Sequence, residues 1–423
     1  MENSKYQLAQ SIYRHFCVIR TSYYKFFKYE SVRIMSMIDP QASQTQAAQT
    51  NVVGSTHNGR KWLLLVLLVY VMLLAVSMIG SGFKFAAGDH AKALFSFASN
   101  PVMGLIIGMV CTALIQSSST VTSIIVGMVA GGLPITIAIP MMMGANIGTS
   151  ITNTLVSLGH VARKEEFQRA FNAATIHDFF NVLSVLIFLP LEMAFGILEF
   201  LSGQLVALLH TGEALGVGGF NPIKATTKPI TDLVTQGFSF LPSIYPGVAK
   251  IILGIGLIML SITYMGKIMK SLMVGKAKAL LHTSIGKGPL SGIASGAVMT
   301  VLVQSSSTTT SLMVPLVGSG ILKAKEIYPF TLGANIGTCI TALIAALGVA
   351  GVNSGFALQI ALVHLIYNVL GVTLIYGLPL LRNIPLNLSY QLSVIAAERK
   401  MYGAAYVGGL FFIMPLGIIF TTI

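Results

Sequence analysis

Gln116-Ser117-Ser118-Ser119-Thr120 returns later in the chain as Gln304-Ser305-Ser306-Ser307-Thr308, each time inside an apolar stretch where hydroxyls and amides are costly. Each copy is followed by Gly-Ala-Asn-Ile-Gly-Thr, at 144–149 and again at 333–338. A third element follows both, His177 with Asn181 and His364 with Asn368. Three landmarks in one order at nearly one offset mark a duplicated half. Buried hydroxyls and amides in two copies are what a carrier needs to replace the hydration of an ion.

The flanks of each serine motif decide its geometry. Residues 102–115 and 121–129 flank the first, 292–303 and 311–317 the second. Each piece is too short to cross about 30 Å of hydrocarbon alone, so each pair reads as a re-entrant hairpin with the serines at its tip. Longer apolar runs cover 62–80, 135–158, 171–191, 248–266, 327–349, 356–381 and 402–423. The expectation is an all-α integral membrane protein of two inverted-topology repeats. Each repeat has a hairpin and a broken transmembrane helix, with about eight spanning helices in all plus the two hairpins.

Composition agrees. Of 423 residues, 54% are hydrophobic and 9% charged, which excludes an ordinary soluble domain. The 42 glycines argue for close helix contacts and locally broken helices. A net charge of +13 would suggest nucleic acid in a soluble protein. Here the basic residues sit in short loops and in the first 60 residues, and they read as topology signals. Cys17, Cys111 and Cys339 form no metal or disulfide pattern and read as packing residues.

Along the chain, 1–60 reads as a polar, basic tail on the cytoplasmic side, in which Met35 or Met37 is an equally good start. Residues 61–210 form the first repeat, 211–247 an aperiodic external connector and 248–382 the second repeat. Residues 383–423 read as a C-terminal loop and a last membrane helix, and 193–210 as a segment that spans or lies at the interface. Lys267, Lys270, Lys276, Lys278 and Lys287 are expected in the cytoplasm, as are Arg163, Lys164 and Arg169.

The chemistry of the landmarks points to an anion and a hard cation. A hairpin tip offers backbone N–H groups at the positive end of its second helix, and serine hydroxyls donate to an oxyanion. Gln116 and Gln304 offer donor and acceptor together. Two glycines within each Gly-Ala-Asn-Ile-Gly-Thr element invite unwinding, which would free carbonyls beside Asn146, Thr149, Asn335 and Thr338 for sodium. Asp178 lies in the middle of an apolar helix, next to His177 and one turn before Asn181, while the second copy has Leu365 in its place. An intramembrane carboxylate needs a counter-charge, and sodium is the candidate. His177, His364 and Asn368 read as structural or accessory groups that tie helices together. No His/Cys/Asp cluster has metal-ligand spacing, so the metal expectation is sodium only, with no transition metal and no other cofactor. A serine hydrolase is disfavoured, since no nucleophile elbow is present and duplication has no use in a single triad.

At these residues the chain resembles the type II sodium-phosphate cotransporters. The stretch 144–192, including Phe171-Asn172-Ala173-Ala174-Thr175-Ile176-His177-Asp178-Phe179-Phe180-Asn181, resembles that family's first repeat, and 292–372 its second. The resemblance implies sodium-driven uptake of inorganic phosphate by alternating access, in a multi-pass protein of a bacterial inner membrane. It implies a phosphate site lined by Gln116, Ser117, Ser118, Ser119, Gln304, Ser305, Ser306 and Ser307. Asp178 matches an aspartate that goes with electrogenic transport in that family, and Asn181 and Thr338 match positions linked to sodium sites; the reading of the residues themselves adds Asn146, Thr149, Asn335, Thr120 and Thr308 to the expected sodium ligands. Two departures are visible: Ala162-Arg163-Lys164 replaces a Gly-Asp-Arg sequence, and Ala145 and Ala334 replace serines. Alternative expectations are a carrier of another oxyanion or a dicarboxylate, and a phosphate exporter. The partners expected are phosphate, sodium and lipid, with no nucleic acid.

Overall fold

The computed structural model describes residues 56–87, 100–210, 222–284, 288–349 and 353–422. The tail 1–55, the stretches 88–99, 211–221, 285–287 and 350–352, and residue 423 lie outside the described residues, as do the readings made on them. Residues from Lys61 onward form one compact unit that contains both serine motifs.

Every regular element described is helical. The first repeat holds α1 (Thr56–Ala87), α2 (Pro101–Ile115), α3 (Ser118–Ala130), α4 (Ile135–Thr149), α5 (Ile151–Ser157), α6 (Lys164–Phe195) and α7 (Ile197–His210). Then come α8 (Pro222–Gly237) and α9 (Tyr245–Ser284). The second repeat continues through α10 (Pro289–Val303), α11 (Ser306–Ser311), α12 (Met313–Gly318), α13 (Ala324–Leu347) and α14 (Ser354–Gly371), which runs into a π-helical turn, Val372–Tyr376. The chain ends with α15 (Pro379–Glu398), α16 (Lys400–Gly408), a second π turn (Gly409–Ile413) and α17 (Met414–Thr422). Among the described residues seven helical segments are long and apolar enough to cross a membrane, beside an expectation of about eight. α2 and α3, at 15 and 13 residues, and α10, at 15, are too short at 1.5 Å per residue to do so alone. Large apolar side chains such as Leu63, Val66, Ile252 and Phe420 stay exposed, as a hydrocarbon solvent permits.

Glycine sets the close contacts. α2 lies on α4, and α10 lies on α13. Each of these four helices carries glycines four residues apart: Gly104 and Gly108, Gly144 and Gly148, Gly292 and Gly296, Gly333 and Gly337. A Cβ on Gly144 would stand 1.9 Å from the Leu105 carbonyl oxygen, and one on Gly333 would stand 1.9 Å from that of Ile293. The partner glycines are as tight: a Cβ on Gly108 would stand 2.0 Å from Met141 O, and one on Gly296 1.9 Å from Phe330 O. Backbones approach this closely only where no side chain intervenes, which is how membrane helices gain dispersion energy without a hydrophobic drive.

This corrects one expectation. The unwinding predicted at the Gly-Ala-Asn-Ile-Gly-Thr elements is limited to Ser150 in the first copy, and α13 runs through its element unbroken. The glycines serve packing against the hairpin, and a continuous helix keeps its own hydrogen bonds. Three further differences concern amphipathic or extended helices. α8 occupies much of the stretch read as an aperiodic connector. The loop expected at the start of 383–423 is helical instead, within α15 (Pro379–Glu398). Pro379 starts it, and its buried stripe of Pro385, Ser389, Ser393, Ala396 and Ala397 packs on α6. Lys267, Lys270, Lys276 and Lys278 lie on α9 itself rather than in a loop.

The two copies clasp each other. α3 packs on α13 and α14 of the second repeat, while α11 and α12 pack on α5 and α6 of the first. The far end of each hairpin is also held by the opposite copy. Asn353 Nδ2 donates to Ala130 O at 3.0 Å, and Arg169 Nε donates to Gly318 O at 2.9 Å. Such reciprocal contacts are those of two copies related by a two-fold rotation.

Candidate functional site

Each serine motif forms a tight turn built by two of its residues. Gln116 and Gln304 end α2 and α10 in the left-handed region, at φ 59° and 57°. A non-glycine residue there is strained, so the surroundings must hold it. They do so identically in both copies. Gln116 Nε2 donates to Ala113 O, its own helix's carbonyl, and Gln304 Nε2 to Val301 O. The other end of each amide is engaged from the neighbouring helix, by Thr152 Oγ1 on Gln116 Oε1 (2.9 Å) and Thr341 Oγ1 on Gln304 Oε1 (3.3 Å).

The next serine caps the second helix. Ser117 Oγ accepts from Thr120 N, and Ser305 Oγ from Thr308 N, both at 3.2 Å. Ser117 Oγ also bonds Thr120 Oγ1 at 2.8 Å. Ser118 and Ser119, like Ser306 and Ser307, then occupy the first turn of α3 and α11, buried in the protein. Their backbone N–H groups have no acceptor within the helix, because a helix start leaves its first donors free. The structure thus holds two copies of a buried helix start carrying hydroxyls, with the positive dipole end at the serines.

Between the copies runs a reciprocal network of amides and imidazoles. Asn146 Nδ2 donates to Asn368 Oδ1 (3.1 Å), and His364 Nε2 donates to Asn146 Oδ1 (3.1 Å). Correspondingly, Asn335 Nδ2 donates to Asn181 Oδ1 (2.8 Å), and His177 Nε2 to Asn335 Oδ1 (2.7 Å). The asparagine of each repeat is clamped by the His and Asn of the other. All six side chains are buried, where an unpaired amide would cost about 1–3 kcal/mol, so the network fixes one arrangement of the repeats.

Comparison with known proteins places this geometry. The Na+/Pi-cotransporter family profile matches residues 71–211 and 257–382, which include both hairpins and both clamps. The chain belongs to that family. Sodium-dependent phosphate transport protein 2B of Homo sapiens is 32% identical over 447 residues, covering 84% of this chain and 64% of its own length. Sodium-dependent phosphate transport protein 2A of Oryctolagus cuniculus is 33% identical over 425 residues, covering 83% of this chain and 66% of its own length. The chain therefore spans about two thirds of the length of these relatives. No solved structure matches it. The family is one of cotransporters, not enzymes.

Within this cotransporter frame the buried acid belongs to one copy alone. Asp178 is fully buried on α6. Its Oδ2 accepts from Thr154 Oγ1 (3.2 Å) and from Tyr406 OH (3.1 Å); the Ser150 hydroxyl, which donates to Ile147 O (2.8 Å), also lies beside the carboxylate, and Oδ1 has no hydrogen-bond partner among the described residues. Asn181, one turn on, donates to Asn146 O at 2.8 Å. Thr149 and Thr338 return their hydroxyls to their own helices, on Ala145 O and Ala334 O, which leaves their oxygen lone pairs available. Among the described residues no group of three or more His, Cys, Asp or Glu side chains gathers to hold a metal ion.

The predicted residues thus fall into two sets. Gln116, Ser117, Ser118, Ser119 and Thr120 share one turn, and Gln304, Ser305, Ser306, Ser307 and Thr308 the other. Asn146, Asn181, Asn335, Asn368, His177 and His364 meet at the crossing of the repeats, with Asp178 adjacent to His177 on α6. Five polar residues of the site went unpredicted. Thr152 and Thr341 recur in register after the two Gly-Ala-Asn-Ile-Gly-Thr elements, so aligning the copies would have found them. Asn153, which bonds His177 Nδ1 (3.3 Å) and accepts from Thr310 Oγ1 (2.9 Å), and Thr154 announce themselves only as polar residues in an apolar helix. Tyr406 lies outside both repeats and carries no sequence signal.

Proposed function

We propose that this protein carries inorganic phosphate together with sodium across a bacterial inner membrane, inward, by alternating access and with net movement of charge. The observation that carries the reading is the duplicated serine-bearing helix start, held by the Gln–Thr locks. Phosphate is a tetrahedral oxyanion that both donates and accepts. Free backbone N–H groups and hydroxyls from Ser118, Ser119, Ser306 and Ser307 suit it, with Gln116, Ser117, Gln304 and Ser305 shaping the two turns. The relatives named as sodium-dependent phosphate transport proteins support both substrate and coupling ion.

Sodium would take oxygens from Asp178, Asn181, Asn146 and Thr149 in the first repeat and from Asn335 and Thr338 in the second, with Thr120 and Thr308 at the turns. The unpartnered Asp178 Oδ1 is the strongest support for a cation there, since a buried carboxylate oxygen without a donor is expensive. Neutralising Asp178 by sodium makes entry of the anion electrostatically acceptable. Each net positive charge moved inward through 100 mV then contributes about 2.3 kcal/mol to uptake.

The test is uptake of labelled phosphate by proteoliposomes holding the full chain, with sodium replaced by choline and several voltages imposed. Uptake should collapse in choline, rise with a negative interior, and resist competition by sulfate or a dicarboxylate. Uptake that persists in choline would contradict the coupling, and displacement by a dicarboxylate would contradict the substrate.

A further inference from the structure

We propose that Tyr406, on a C-terminal helix outside both repeats, is the positioning residue that aims Asp178 at its sodium ion. The inference rests on the reading of Asp178 as a sodium ligand. Tyr406 OH and Thr154 Oγ1 both donate to the same carboxylate oxygen, Oδ2, at 3.1 and 3.2 Å. Two donors converging from different helices fix the rotation of the carboxylate, so its other oxygen is presented in one direction with its lone pairs unused. A ligand held in place this way loses less entropy when the cation arrives.

The phenol is itself held rigidly. Its ring lies against Phe171 (centroids 6.4 Å apart, edge-on) and Phe179 (5.9 Å, tilted), both on α6 with Asp178. One turn earlier, Gly403 lies against the same Phe171 ring, where a Cβ would stand at ordinary contact distance, 3.5 Å. Shortly after Tyr406 the helix passes through Gly408 and Gly409 into the π turn Gly409–Ile413.

Asymmetry between the copies strengthens the assignment. The second copy has Leu365, Leu343 and Cys339 where the first has Asp178, Thr154 and Ser150. No carboxylate there needs a donor. α16 likewise has no counterpart in the duplication, so one acid meets one phenol. Tyr406 also lies beyond the segments matched by the family profile.

The experiment uses the full chain in proteoliposomes and measures the sodium dependence of phosphate uptake and the charge moved per phosphate. Tyr406→Phe keeps the ring and its packing. It should raise the half-saturating sodium concentration about ten-fold, equivalent to roughly 1.4 kcal/mol. Charge per phosphate and, at saturating sodium, the half-saturating phosphate concentration should stay unchanged. Thr154→Val, which removes the second donor to the same oxygen, should move sodium dependence in the same direction. In an Asp178→Asn background Tyr406→Phe should have no further effect. A fall in maximal rate alone, with sodium dependence unmoved in both donor variants, would show a merely structural tyrosine and overturn the proposal. Tighter sodium binding in Tyr406→Phe would also overturn it, by showing that the phenol competes with the cation. If Asp178→Asn itself leaves charge and sodium dependence unaltered, the reading of the acid fails. If only the Tyr406 and Thr154 variants are silent, that reading survives and this inference does not.

Discussion

The first repeat and the second share a frame and differ in what the frame holds. Both have the left-handed glutamine, the serine cap, the Gln–Thr lock and the asparagine clamped from the opposite copy. They part at three clustered positions, where Ser150, Thr154 and Asp178 correspond in register to Cys339, Leu343 and Leu365. They part again at the histidines. His177 Nδ1 is bonded by Asn153, whereas Ala342 takes that place in the second copy and His364 Nδ1 has no partner among the described residues. The hairpins differ as well, for Pro315 stands where the first copy has Gly127, and the second arm is split into α11 and α12 at Leu312. Proline has no N–H and its ring crowds the carbonyl of Ser311 one turn back, which accounts for the split. The lesson is that symmetric residues build the turns and the crossing, while the buried carboxyl group at the crossing belongs to the first repeat alone.

Equivalence of the two frames is most severely tested at the glycines. Gly144→Ala and Gly333→Ala each drive a methyl group into a carbonyl oxygen of a neighbouring backbone, and both should cost well above the roughly 1–3 kcal/mol typical of overpacking. Thermal unfolding in detergent should show a similar large loss for the two. A loss in one copy only would mean that the frames are not equivalent. Next in size is a transplant. Leu365→Asp alone places a carboxylate without hydroxyl partners at membrane depth and should destabilise the protein by about 2.5–3.5 kcal/mol. Adding Leu343→Thr and Cys339→Ser should recover part of that loss. No recovery in the triple variant would show that the hydroxyls do not support the acid.

Smaller effects separate the copies further. Asn153→Ala leaves His177 Nδ1 without a buried partner, while Thr310 keeps its bond to Ser306 O (2.8 Å), and should cost about 1–3 kcal/mol, whereas Ala342→Asn should be neutral or stabilising by supplying His364 with one. Melting temperatures of the two variants, moving in opposite directions, would check this. Smallest are the locks. Thr152→Val and Thr341→Val should each cost about 1 kcal/mol, more for Thr152, whose bond is the shorter. Equal or reversed effects would argue that the turns are held by other means.

Much of this was legible in the sequence. Repetition of Gln-Ser-Ser-Ser-Thr gave the duplication, and the shortness of its flanks gave the hairpins, because hydrocarbon thickness sets a hard length. The importance of Asn146, Asn335, His177 and His364 was legible, but not their partners. Reciprocal pairing appears only when the two copies are placed against each other. The expectation of unwinding failed because glycine serves two purposes in membranes, and the sequence does not say whether a helix is close enough to claim it. α8 and α15 escaped because prolines and scattered polar residues read as loop, although Pro379 stands at the first turn of α15, where it is tolerated. Tyr406 was invisible, since a residue without a counterpart in the repeats gains nothing from their alignment.

The most direct test of a charge confined to the first repeat is the current per phosphate of Asp178→Asn in a voltage-clamped reconstituted membrane, compared with the unaltered protein. Phosphate should still move with sodium, but with less net charge per phosphate, or none. Unchanged current per phosphate would contradict a charge-carrying role for Asp178.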